Sequence, residues 1–135
     1  MTRRGQFHLE RLIAILRSMD DVPHSRSAAK EKRKQLIELF LQRTLEDVEH
    51  MRRGVPDLIA GDPTAWQELR FTAQRAAGMA KSLELGILAA CTRELAALAD
   101  EKFAGKALDA HFLLGVTSAI EVVAIELDRL GRESP

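Results

Sequence analysis

Four histidines and one cysteine are the side chains in this 135-residue chain whose types most readily carry out chemistry. His8, His24, His50 and His111 are scattered along it. None falls with Asp, Glu or Cys at a spacing that would hold a metal ion. His50 follows Glu46, Asp47 and Glu49, but carboxylates beside a histidine are commonplace on a charged helix. His111 opens the fragment His111-Phe-Leu-Leu-Gly115. It should point about 150° away from the apolar row of its own helix, into solvent. Cys91 is the lone cysteine, so neither a disulfide within the chain nor a Cys-rich zinc site is available. Its place on an apolar helical row predicts a small buried hydrophobe rather than a reactive thiol. No nucleophile, base and orienting group stand together, so neither an enzyme nor a cofactor or metal site is expected.

Charge narrows the partners. Lys and Arg number 20, Asp and Glu 20, for a formal net charge of zero. A protein devoted to nucleic acid usually carries a basic excess and aromatic side chains on which bases stack. This one has five Phe, one Trp and no Tyr. The most basic stretch, Ser25-Arg-Ser-Ala-Ala-Lys30-Glu-Lys-Arg-Lys34, has no aromatic interleaved and reads as a solvated helix start. The first residues lack the long apolar run of a secretion signal. The longest stretch free of charge, Ala110 to Ile120, is short of the ~20 residues a bilayer span requires. The expectation is a cytoplasmic protein that binds neither nucleic acid nor membrane.

Hydrophobic residues make up 46% of the chain, enough for a core. Periodicity near 3.6 residues dominates, and no alternation of apolar and polar residues marks a strand. A short first helix is expected over about Phe7 to Ser18, with Leu9, Leu12, Ile13 and Leu16 on one side. A polar loop with Pro23 follows. Ser27 is placed to cap a long second helix with Ile37, Leu41, Thr44, Val48 and Met51 inward. Gly54-Val-Pro56 should kink or restart it, and Gly61-Asp-Pro63 should end it. Asp62 as N-cap and Pro63 at the first helical position open a third helix. Its seam is the clearest in the chain: Trp66, Leu69, Ala73, Ala76, Ala80 and Leu83 at alternating spacings of three and four.

A fourth helix, about Gly86 to Lys102, presents Leu88, Cys91, Leu95 and Leu98. A fifth, about Lys106 to Leu130, presents Leu113, Val116, Ile120, Val123, Leu127 and Leu130. Four long antiparallel helices with short links predict an all-α, up-down four-helix bundle with a short extra N-terminal helix. The expected organisation is residues 1–26 as short helix and linker, 27–131 as the bundle and 132–135 as a disordered tail. The final helix carries a second apolar stripe, Leu114, Val122 and Ile125 with Ser118, opposite its seam. A helix apolar on both sides calls for a cover. The short first helix is one candidate and a dimer partner the other.

From the second helix onward the sequence resembles the histidine phosphotransfer (HPt) domains. That family carries Ala-His-x-Leu-Lys-Gly on an exposed bundle face, followed by small residues, Leu-Gly and a further Leu. Here the chain reads Ala73-Gln-Arg-Ala-Ala-Gly78-Met-Ala-Lys-Ser-Leu83-Glu-Leu-Gly-Ile-Leu88. Upstream, Leu39-Phe-Leu and Gly61-Asp62 are similar to the opening and the turn of the preceding family helix. The resemblance spans roughly Leu36 to Leu130. It places the family's phosphoacceptor histidine on Gln74, its lysine on Ala77, its glycine on Gly78 and its later Leu-Gly on Leu83-Glu84. The interval from Asp62 to Gln74 is about one turn longer than the family's.

Gln74 removes the chemistry. Phosphotransfer needs a neutral imidazole nitrogen to attack an aspartyl phosphate. A carboxamide nitrogen, delocalised into its carbonyl, only donates hydrogen bonds. Gln74 lies about 100° from seam residue Ala73, beside Gln67, Arg70, Ala77, Gly78 and Lys81. Ala77 and Gly78 make a low spot, and Arg70, Arg75 and Lys81 surround it with positive charge suited to an acidic pocket. The resemblance thus implies a pseudo-phosphotransfer module that binds a receiver or histidine kinase domain through Gln67, Arg70, Gln74, Arg75, Ala77, Gly78 and Lys81. It is expected as a monomer or weak homodimer. Two alternatives stand beside it. One is an active phosphotransfer protein using His111. The other is a helical assembly bundle unrelated to phosphorelays, whose alanines and glycine serve only close packing.

Overall fold

A computed structural model of the protein describes residues 9–15 and 26–133. These are all-helical, with no strand among them. The elements are α1 (residues 9–15), α2 (Arg26–Arg53), α3 (Val55–Ile59), α4 (Pro63–Ser82), α5 (Gly86–Phe103) and α6 (Ala110–Glu133). His8, His24, Leu16 and the Pro23 loop lie outside the described residues. The chain forms two compact units that meet in sequence between Thr44 and Leu45, inside α2.

In the first unit, Leu12 is buried while Leu9 and Ile13 are exposed. The α2 helix already includes Arg26 and Ser27, so Ser27 is within the helix and is not its cap. Leu36 and Phe40 are buried, whereas the expected Ile37 and Leu41 are half-buried. The row runs Leu36, Phe40, Thr44, one position round from the reading based on spacing alone. Thr44 stays inside because its hydroxyl donates to the Phe40 carbonyl at 2.8 Å.

The second unit is built around α4. Gly54 interrupts the helical run as expected, and α3 restarts it with Pro56 in its first turn. Gly61 follows at φ +79°, where an added Cβ would also meet Leu108 Cδ1 at 3.3 Å. Glycine is required there. The Asp62 carboxylate then accepts from the Thr64 amide at 3.0 Å and caps α4, with Pro63 at its first position. The six expected seam residues, five in α4 from Trp66 to Ala80 and Leu83 just past its end, are buried. Trp66 is enclosed: its ring stacks on Phe112 of α6 at 5.9 Å and its Nε1 donates to the Leu58 carbonyl of α3 at 3.0 Å.

Residues 83–85 link α4 to α5, and the two helices pack together. On α5 the buried row is Leu88, Ala89, Thr92, Leu95, Ala96 and Ala99. Cys91 and Leu98, expected inside, are half-buried. The Thr92 hydroxyl donates to the Leu88 carbonyl at 2.8 Å, so the polar residue is tolerated inside. The α6 helix packs on α5 and starts at Ala110, four residues later than expected. Asp109 stops the extension, because its carboxylate accepts from the Phe112 amide at 2.8 Å. Phe112, Val116, Ile120, Val123 and Leu127 face inward, while Leu113 and Leu130 are half-buried. The helix runs through Arg132 and Glu133, two residues expected in the tail. By length and composition α6 is also the one described helix apolar enough to cross a membrane.

Candidate functional site

The outward face of α4 is set by the seam. Because Trp66, Leu69, Ala73, Ala76 and Ala80 are buried, the residues turned farthest from them are Gln67, Phe71, Gln74, Gly78 and Ser82. Each is exposed, as are Arg75 and Lys81, while Arg70 and Ala77 at the flank are half-buried. The seven residues singled out in the sequence therefore lie on one helix, two of them toward its edge. An added Cβ on Gly78 would meet nothing within 4 Å, so the low spot opens directly to solvent. The Ser82 hydroxyl donates to the Gly78 carbonyl at 3.1 Å.

The positive surround is partly neutralised within the chain. The Arg75 guanidinium meets the Asp47 carboxylate of α2 at 3.3 Å. Arg70 lies 3.7 Å from the Asp100 carboxylate of α5 and stacks 4.2 Å above the Phe103 ring. These two arginines hold α4 to its neighbours, so they are not the open charges that the spacing suggested. Lys81 makes no ion pair among the described residues.

Phe71 is the feature that spacing did not single out. It is 64% exposed, one turn before Gln74, with the Arg75 guanidinium 5.8 Å from its ring centre. Its register could have revealed it. Two residues beyond Leu69 and two before Ala73, it must point away from the seam. An exposed aromatic beside a glycine gap suits a partner surface better than solvent.

The other candidates separate from this face. His111 is exposed in the first turn of α6, as its register predicted. His50 is exposed near the end of α2, with Nε2 at 3.5 Å from the Glu68 carboxylate. His50 and Glu68, but not His111, border a shallow cleft of about 200 Å³ that also touches Met51, Asp57, Leu58 and Thr72. That is smaller than the roughly 300–1,000 Å³ usual for ligand sites. Burial pushes the Cys91 thiol above its ordinary pKa, and the Glu126 carboxylate adds to the shift. A thiol so placed is protonated at neutral pH and a poor nucleophile. Among the described residues no three His, Cys, Asp or Glu side chains gather to hold a metal ion.

Glu84 bears on the resemblance. It is the one described non-glycine residue in the left-handed region, at φ +60°, in the link between α4 and α5. That conformation favours glycine. Its amide donates to the Lys81 carbonyl at 3.1 Å and the Leu85 amide to the Ala80 carbonyl at 2.9 Å, closing the helix end. No protein-family model, curated protein or solved structure matches the chain.

Proposed function

We propose that this protein is an HPt-like four-helix bundle of two-component signalling that binds a receiver or histidine kinase domain through α4 without carrying phosphate. The observation that carries this reading is the outward face of α4. Exposed Gln74 occupies the acceptor position, with the open Gly78 gap and exposed Phe71 beside it. Glu84 supports it, since the backbone adopts a left-handed turn at the position where the resembling pattern carries glycine. Val48 and Met51 at the end of α2 are buried, and Arg52 binds Glu121 of α6, as expected if α2 supplies the fourth bundle helix. The apolar composition of α6 then belongs to a bundle helix in the cytoplasm, its seam turned to α5.

On this face Gln74 offers hydrogen bonds and no nucleophile. The protein acts as a competitor or scaffold, not as an enzyme. A receiver pocket built for imidazole accommodates the carboxamide, Phe71 supplies apolar contact and the Gly78 gap admits a loop. Binding to purified receiver and kinase domains, followed by surface plasmon resonance, tests the reading. Gln74→Ala is expected to weaken binding by only about 0.5–1.5 kcal/mol, one neutral hydrogen bond. Gly78→Trp fills the gap and should abolish binding with the helical content intact. Indifference to Gly78→Trp would place the contact elsewhere.

The exposure of His111 keeps the phosphotransfer reading testable in the same experiment. Incubation with a phosphorylated receiver should leave no acid-labile, base-stable label. A label lost in His111→Ala would assign the chemistry to α6 instead.

A further inference from the structure

The second apolar stripe of α6 remains unpartnered in the unit that contains it. Leu114 is 66% exposed, Val122 48% and Ile125 67%, with Gly115 and Ser118 exposed between them. An added Cβ on Gly115 would meet nothing within 4 Å. These residues share one side of the helix, recurring at spacings of three and four, opposite the buried Val116, Ile120, Val123 and Leu127. Large exposed apolar side chains in a continuous row mark a contact surface rather than ordinary scatter.

Two observations identify the occupant. The first is charge. Every charged side chain on α6 is already paired within the chain. Glu121 accepts from Arg52 Nη2 and Nε at 2.7 and 2.9 Å, Asp128 holds Arg132 at 2.7 Å, and Arg129 binds both Glu126 and Glu133. The stripe therefore offers no open charge to an acidic or basic partner or to a charged lipid headgroup. A surface whose charges are closed on themselves can meet its own copy without like-charge repulsion. The second is the distribution of size along the row. Inside the row, which opens on Leu114, the small residues Gly115 and Ser118 precede the bulky Val122 and Ile125. An antiparallel pairing about a two-fold axis near Ile120 sets Val122 and Ile125 of one helix on Ser118 and Gly115 of the other, twice over, with Leu114 beside the partner's Ile125 at each end. That is the self-complementarity an isologous interface requires.

We infer that the Leu114–Ile125 face of α6 is where two copies of this chain pair, antiparallel, with Val122 over the partner's Ser118 and Ile125 over the partner's Gly115. The contact is on a different helix from the α4 face and does not depend on what that face binds. Both sites can be occupied at once, which makes the dimer a bivalent module.

Sedimentation equilibrium of the full chain over a range of concentrations tests the pairing. A reversible dimer is expected, and Val122→Asp or Ile125→Asp should each weaken it by at least about tenfold, since a buried unpaired carboxylate opposes association. Both positions are exposed, so circular dichroism and Trp66 emission should not change. In a Cys91→Ala background, mixing Ser118→Cys chains with Val122→Cys chains should give the mixed disulfide faster than either self-pair. A wild-type chain that stays monomeric up to about 1 mM overturns the proposal. So does a dimer indifferent to both aspartates. Self-pairs formed as fast as the mixed pair would overturn the antiparallel register. Monomeric chains that sediment with phosphatidylcholine vesicles, and lose that with Ile125→Asp, would make the stripe a lipid contact instead.

Discussion

At Glu84 the backbone is held in a conformation that costs an L-residue roughly 1–2 kcal/mol relative to the right-handed region. Glycine has no such penalty but loses more freedom on folding, by about 0.5–1 kcal/mol. Glu84→Gly should therefore raise stability by about 0.5–1 kcal/mol, measured by urea denaturation. A loss instead would show that contacts of the glutamate side chain outweigh the backbone term. Nothing in glutamate's own propensities announces a left-handed turn. The resemblance puts glycine at this position, but the turn itself was not read from the sequence. Gln74 and Gly78 were picked out by the resemblance and their outward direction by register, while Phe71, whose register says the same, was passed over. The closure of Arg70 and Arg75 on Asp100 and Asp47 was not. Those pairs join residues 30 and 28 positions apart, a long-range arrangement that spacing within one helix cannot show.

Among the elements, the start and the seam of α4 were read correctly, and α2 and α5 only in part. The difference lies in how many registers their apolar residues allow. In α4 polar residues follow Trp66 and Leu69, Trp66 is too large to leave ambiguous, and Asp62-Pro63 marks the start. In α2, Leu36 and Ile37 stand side by side, as do Phe40 and Leu41, so two registers have nearly equal claim. In α5 the alanines fit either inside or outside, and Ala89, Ala96 and Ala99 displaced Cys91 and Leu98 from the interior. The late start of α6 followed from Asp109, whose capping role shows only once the Phe112 amide is seen beside it. Trp66 is where three elements meet, through Leu58 of α3 and Phe112 of α6. Trp66→Ala should cost about 3–5 kcal/mol in thermal or urea unfolding. In the wild type the single tryptophan should emit as a buried indole, shifted to the blue of free tryptophan in water. Emission at the free-tryptophan wavelength would contradict the packing of α4.

For the molecule as a whole, the charge balance decides how any partner arrives. The chain carries 20 basic and 20 acidic residues, so there is no net field to draw a charged domain from a distance. A local cluster on α4 would supply one over the Debye length of about 8–10 Å. Arg70 and Arg75, however, already spend much of their field on carboxylates within 4 Å. Lys81 alone remains, and an isolated exposed cation is a weak guide. Association of a receiver domain with this face should then proceed at the rate of unsteered docking, about 10⁵–10⁶ M⁻¹s⁻¹, with a shallow dependence on ionic strength. Stopped-flow or surface plasmon resonance at low and physiological salt measures this directly. Lys81→Glu should change the association rate only roughly twofold, while Gly78→Trp acts on the stability of the complex once formed. A steep fall in association rate with added salt would mean that Arg70 and Arg75 leave Asp100 and Asp47 for the partner. In that case the two ion pairs are a gate on binding, and Asp47→Asn and Asp100→Asn should speed association by freeing the arginines in advance.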